Sequence, residues 1–196
     1  MSPQDKTEEP NNSSCRRQEN IVLGVTGSVA AYKAGDLVRR FLNFGWAVSV
    51  LMTKEAAEFV SPTTFAALSG KKTQFDMFDS SSENWPLGHI DNAQKADVVL
   101  IAPATANIIA KMASGLADDL LTCTVLATKA PVIIAPAMNE AMYKHPATQL
   151  NCRRLKEFGY HFVGPVSGKL ACGDIGDGHL ADIEMIFETV KKVLAR

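Results

Sequence analysis

Ile21-Val22-Leu23-Gly24-Val25 runs without a break into Thr26-Gly27-Ser28-Val29-Ala30, and the reading of this stretch decides the fold. Its first half is short, branched and uncharged, the pattern of a strand buried on both faces. Its second half is a small-residue junction that opens a helix. From Ala30 to Phe44, Leu37, Val38, Phe41 and Leu42 fall near one face, Arg39, Arg40 and Asn43 point elsewhere, and Gly45 is placed to end the turn.

The same alternation repeats outward. Trp46–Met52 reads as the second strand, with Thr53 as N-cap of a short helix reaching about Val60. Ser61 to Leu87 is a looser stretch, rich in Ser and Asp towards its end. Val98–Ile101 is the core of a third strand, and two helical stretches cover about Asn107 to Thr128. Val132–Ala135 is a fourth strand, and Met138–Phe158 a long helix interrupted at Pro146. His161–Val163 is a fifth strand, Gly164–Asp182 a glycine-rich loop poor in helix, and Ile183–Leu194 the closing helix. No repeat recurs at a fixed period. The order predicts a single α/β domain over 20–196, a Rossmann-like (flavodoxin-like) parallel sheet with helices on both faces. Ligands of such sheets sit at the carboxyl ends of the strands, near the switch point.

Composition fits that reading. The chain has 196 residues, 46% hydrophobic and 21% charged, enough for one sizeable core. A net charge of −1 offers no basic field for nucleic acid or an anionic membrane. The four cysteines (Cys15, Cys123, Cys152 and Cys172) form no C-x-x-C pair and no zinc spacing, so free thiols in a reducing compartment are expected. Met1 to about Glu19 is rich in Ser, Asn, Pro, Gln and charge, and is expected to be a disordered tail. The polar N-terminus has no apolar signal region and no run is dry enough to span a bilayer, so the expected location is the cytoplasm.

Three strand-to-helix junctions carry the candidate chemistry. Thr26-Gly27-Ser28-Val29-Ala30 presents backbone N–H groups at a helix start, which suits a phosphate or serves only as a capped turn. Neither G-x-x-x-x-G-K-[ST] nor G-x-G-x-x-G is present, and the second strand ends in Met52-Thr53 rather than an acidic residue. A mononucleotide therefore fits better than a dinucleotide. Ala102-Pro103-Ala104-Thr105-Ala106-Asn107 leaves room for a flat ligand, with Thr105 and Asn107 as hydrogen-bonding groups; the plainer reading is a helix start with an Asn cap. In Ala135-Pro136-Ala137-Met138-Asn139, Asn139 either caps a helix or offers its amide to a substrate carboxylate or carbonyl.

Two further residues stand apart. His89, in Pro86-Leu87-Gly88-His89-Ile90, is a general base, a carboxylate-binding group or a surface residue. His145, His161 and His179 have no better local case. Cys172 sits in Lys169-Leu170-Ala171-Cys172-Gly173-Asp174, a lid-like glycine-rich segment where a structural thiol is out of place.

Six stretches together resemble the homo-oligomeric flavin-containing Cys decarboxylases: Gly27–Ala31, Gly88–Ile90, Ala102–Asn107, Gly115–Leu121, Pro136–Asn139 and Ala171–Asp174, in family order. The resemblance covers about residues 20 to 195. It implies FMN as cofactor, with Gly27, Ser28 and Val29 near its phosphate, Thr53 as a further contact, and Ala104, Thr105, Ala106, Asn107 and Ala137 lining the flavin. It implies His89 as active-site base, Asn139 with Met138 and Ala171 at the substrate, and Cys172 as proton donor on a covering flap. The substrate so implied is a small molecule, 4′-phosphopantothenoylcysteine, converted to 4′-phosphopantetheine in coenzyme A synthesis. The implied assembly is a homo-oligomer built from trimers, with FMN at a subunit interface. Many bacterial members carry a fused ligase domain; a chain ending at Arg196 has no room for one, so a separate ligase or a different branch is expected. The flap cysteine favours this activity over a peptidyl-cysteine decarboxylase, which stops at the ene-thiol. His89, Asn139 and Cys172 together disfavour a non-catalytic regulatory subunit, and Pro136–Asn139 with the flap disfavours a flavin prenyltransferase.

Overall fold

The computed structural model describes residues 18–78, 87–169 and 175–195. Five strands, β1 (Asn20–Val25), β2 (Ala47–Met52), β3 (Val98–Ala104), β4 (Val132–Pro136) and β5 (His161–Phe162), form one parallel sheet ordered β2-β1-β3-β4-β5. This is the flavodoxin-like order. The chain winds outward from β1 to β2, then crosses back to β3, so the switch point lies between β1 and β3.

Strand periodicity builds two cores. Ile21, Leu23, Val25, Val48, Val50, Leu100 and Ile133 face one side, against Leu37, Val38 and Phe41 of α1 (Ala34–Asn43) and Ile186, Phe187 and Val190 of α9 (Ile183–Leu194). Val22, Leu51, Val99, Ile101 and Ile134 face the other, against α5 (Ala106–Ser114), α6 (Leu120–Ala127) and α8 (Pro146–Glu157). Burial on both faces explains why the strands read as apolar runs rather than alternating ones.

The first helix opens as a 3-10 turn, Val29–Lys33, before α1, and Thr53 caps the short α2 (Lys54–Ala57) as expected. The long helix before β5 is split into α7 (Glu140–Lys144) and α8, with Pro146 in the first turn of α8. Two expectations are corrected. The loose stretch after Val60 contains α3 (Pro62–Ser69), started by the Ser61 cap and Pro62 and stopped by Gly70 at φ +68°. The stretch expected to be a glycine-rich loop contains an antiparallel hairpin, β6 (Val166–Lys169) with β7 (Ile175–His179). Its many glycines hide the strand pattern, and main-chain pairing and docking hold it instead. The expected N-terminal tail lies almost wholly outside the described residues. No helix among the described residues is long and apolar enough to cross a membrane.

Candidate functional site

β1, β2, β3 and β4 end side by side, and each runs into a helical turn capped by a polar side chain. Ser28 Oγ accepts from Ala30 N at 3.3 Å, Thr53 Oγ1 from Ala56 N at 3.3 Å, Thr105 Oγ1 from Ile108 N at 3.3 Å and Asn139 Oδ1 from Ala141 N at 2.8 Å. All four caps line one cavity of about 780 Å³. That volume lies within the roughly 300–1,000 Å³ usual for small-molecule sites. The cap after β3 is Thr105, not Asn107, which falls in the first turn of α5.

Thr26 joins the two sides of the switch point. It is 1% exposed, and its hydroxyl donates to the Pro103 carbonyl at 2.7 Å and accepts from Thr105 N at 3.1 Å. One hydroxyl thus fixes the spacing of the loops after β1 and β3. Gly27 follows, and a Cβ there would stand 2.5 Å from Glu55 Cβ. The close approach that requires glycine is therefore to α2.

The hairpin supplies another wall. Met138 N donates to the Gly178 carbonyl at 2.9 Å. Gly178 has φ +148°, and a Cβ would lie 2.2 Å from Met138 O, so only glycine lets β7 dock on the loop after β4. Outside the cavity, Lys144 bridges Glu140 of α7 and Asp177 of β7, and Ser167 donates to Asp177. The Ser167 hydrogen bond holds the Asp177 carboxyl below its ordinary range, and Lys144 does the same for Glu140.

The charges on the wall divide between the two faces of the sheet. On the α5–α6 side, Lys111 Nζ donates to Asp118 at 2.7 Å and to Asp119 at 3.2 Å. The Asp118 hydrogen bond raises Lys111 and, reciprocally, holds Asp118 below the usual carboxylate range. Asp119 also caps α6 through a reciprocal capping box with Thr122. On the α1–hairpin side, Lys33 Nζ and His179 Nε2 stand 3.0 Å apart.

Of the residues singled out in the sequence, Gly27, Ser28, Val29, Thr53, Thr105, Ala106, Asn107, Ala137, Met138 and Asn139 all line the cavity. Ala104 is buried behind it, its carbonyl accepting from Ala137 N at 3.0 Å. His89 lies at the start of α4 (Gly88–Lys95), off the wall of this cavity. Asn92, which donates to the Gly88 carbonyl and to Gln74 Oε1, both at 2.8 Å, ties that end of α4 to the segment beside β2. Among the described residues His89 Nδ1 is buried with no hydrogen-bond partner. Ala171 and Cys172 lie outside the described residues. Sequence reasoning gave no role to Thr26, Lys33, Lys111, Asp119 or His179, which also line the cavity. Asp119 carried a signal as part of Gly115–Leu121, and Thr26 only as the first residue of the junction after the first strand.

A parallel sheet in this order, with four capped helical turns converging at its switch point, has the architecture of flavodoxin-like sites. The chain belongs to the Flavoprotein family, whose profile matches residues 9–195. A probable phosphopantothenoylcysteine decarboxylase of Streptococcus mutans is 42% identical over 178 residues, covering 90% of this chain and 99% of that protein. The coenzyme A biosynthesis bifunctional protein CoaBC of Vibrio cholerae is 48% identical over 164 residues, covering 84% of this chain and 41% of that protein. The chain thus spans about two fifths of the length of such bifunctional relatives. Among solved structures, a PPC decarboxylase mutant complexed with pantothenoylaminoethenethiol superposes with TM-score 0.82 at 33% identity, covering 92% of this chain and all (100%) of that one. The FMN-dependent cysteine decarboxylase SpaF gives TM-score 0.78 at 34% identity, covering 91% and 98%.

Proposed function

We propose that the cavity binds FMN and that the protein decarboxylates 4′-phosphopantothenoylcysteine to 4′-phosphopantetheine in coenzyme A synthesis. The observation that carries this reading is the convergence of the Ser28, Thr53, Thr105 and Asn139 caps on one cavity. Relatives named as phosphopantothenoylcysteine decarboxylases and as FMN-dependent support it.

The residues present fit a flavin mononucleotide. Backbone N–H groups and the Ser28 hydroxyl at the start of the 3-10 turn suit a phosphate. Ala106 and Ala137 leave space for a flat ring, and Thr53, Thr105 and Asn107 supply polar contacts. When bound, FMN supplies a two-electron acceptor and donor for the thiol-bearing carbon of the substrate.

A cysteine carboxylate has no adjacent electron sink, so direct loss of carbon dioxide would leave an unstabilised carbanion. Carbon dioxide leaves readily once CH₂–SH has become a thioaldehyde, because the electron pair then flows into an ene-thiolate. Asn139, oriented by its cap on α7, holds the carboxylate or the neighbouring amide through its side-chain amide. His89 assists the oxidative step or steers the carboxylate. Cys172 protonates the ene-thiol carbon; the net reaction would be redox-neutral because the two electrons taken from the thiol-bearing carbon would be returned to the double bond from the bound flavin.

His89 stands off the wall of its own cavity, and the cavity-lining Val29 and Tyr32 are 57% and 63% exposed. A site completed by a neighbouring copy answers both facts. The assembly we propose is a homo-oligomer built from trimers, acting in the cytoplasm, with FMN at the subunit interface. The test is Cys172→Ser: it should still release carbon dioxide but accumulate the oxidised ene-thiol. Full yield of the saturated thiol would remove Cys172 from the scheme. A peptide ending in cysteine, offered beside phosphopantothenoylcysteine, separates this reading from peptidyl-cysteine decarboxylation.

A further inference from the structure

Lys33 and His179 come from segments 146 positions apart, yet their polar ends meet at 3.0 Å on the cavity wall. The other lysine on that wall, Lys111, is answered by Asp118 and Asp119. Among the described residues Lys33 has no carboxylate partner, and its one polar contact there is the imidazole. With Lys33 as donor and His179 Nε2 as acceptor, Lys33 keeps two further N–H donors and the Nδ1 of the ring is a donor as well. A cation placed against a neutral acceptor, with donors to spare, is matched to an anion.

Its place in the fold selects which anion. The loop after β1 that suits the cofactor phosphate lies at the start of the 3-10 turn, while Lys33 is at its end, about 10 Å further along at the rise of such a turn. His179 ends β7, one residue beyond the Gly178 carbonyl that holds Met138, next to the proposed substrate asparagine. In the reading above Asn139 serves the carboxylate or its neighbouring amide, so the substrate anion left for Lys33 and His179 is the 4′-phosphate.

We infer that Lys33 and His179 form an anion subsite for the 4′-phosphate of the substrate, separate from the cofactor's phosphate. This rests on the decarboxylase reading above. Lys33 is the phosphate ligand, and His179 holds its ammonium in place while adding a donor of its own.

The test uses the FMN-loaded enzyme and compares Lys33→Met, His179→Gln and Lys33→Arg with the parent. Substrates are 4′-phosphopantothenoylcysteine and its dephosphorylated form, which keeps the carboxylate and thiol. Lys33→Met should raise KM for the phosphorylated substrate roughly tenfold or more, the loss of a charge-assisted hydrogen bond. It should leave KM for the dephosphorylated substrate and both kcat values near those of the parent. His179→Gln should give a smaller rise of the same selectivity, and Lys33→Arg should recover most of the loss. An equal rise for both substrates would overturn the subsite in favour of the carboxylate or a structural role. Weaker binding of FMN with unchanged binding of riboflavin, read by flavin fluorescence, would assign the pair to the cofactor phosphate and equally overturn it. If the parent decarboxylates neither substrate, the functional reading itself falls, and the subsite with it.

Discussion

Thr26→Val keeps the shape of the side chain and removes one oxygen at the switch point. The Thr26 hydroxyl is buried and makes two bonds to main chain, to Pro103 O and from Thr105 N. Valine strands both groups. An unpaired buried backbone group costs about 1–3 kcal/mol, and the half-buried Thr105 can recruit water at the lower end of that range. The sum is about 2–4 kcal/mol of folding stability, or a fall in Tm of roughly 4–16 °C for a domain of this size. Urea unfolding of flavin-free protein measures it without the stabilisation that ligand adds. The same variant should lose flavin affinity, because the spacing of the β1 and β3 loops is what the hydroxyl sets. A variant within about 0.5 kcal/mol of the parent, with unchanged FMN binding, would refute the claim that Thr26 ties the site together.

Other perturbations separate the parts of the site. Gly178→Ala should detach the hairpin from Met138, giving faster proteolysis within β6–β7 and a large loss of activity; unchanged protection would contradict the docking. The Lys111–Asp118 pair should stabilise the fold only between its two shifted pKa values. Its contribution fades as acid protonates the depressed Asp118 and as alkali deprotonates the raised Lys111, so the difference in stability between the parent and Lys111→Met should be flat from about pH 5 to 9. A slope inside that window would sink this assignment. Burial pushes the thiols of Cys123 and Cys152 upward, and Asp119 and Asp118 add to the rise at Cys123. Both should resist iodoacetamide at pH 7.5 in the folded protein and react after denaturation, as read by intact mass.

The sheet and its switch point were legible because each strand is buried on both faces and each strand-to-helix junction carries its own cap. Ser28, Thr53 and Asn139 were marked by that local chemistry. Thr105 was named with them, although Asn107 looked the better cap. α3 escaped because only Phe65 of that helix is fully buried, leaving little periodicity to read, although Ser61-Pro62 and Gly70 bracketed it. The hairpin escaped because Gly168, Gly176 and Gly178 erase alternation; its strands owe their order to Met138 and α7, far away in sequence. Lys33 and His179 had no local signal, since what makes them a pair is the docking of that hairpin beside the first helix. Thr26 was quoted as part of a loop, but its role depends on Pro103 and Thr105, which only the parallel pairing of β1 with β3 brings near.

The most direct test is to add 4′-phosphopantothenoylcysteine to the purified protein loaded with FMN and follow carbon dioxide and thiol products together. Carbon dioxide and 4′-phosphopantetheine should appear in equal amounts, with the oxidised flavin spectrum restored at the end. A folded protein that takes up no FMN, or that takes it up and releases no carbon dioxide, would contradict the account.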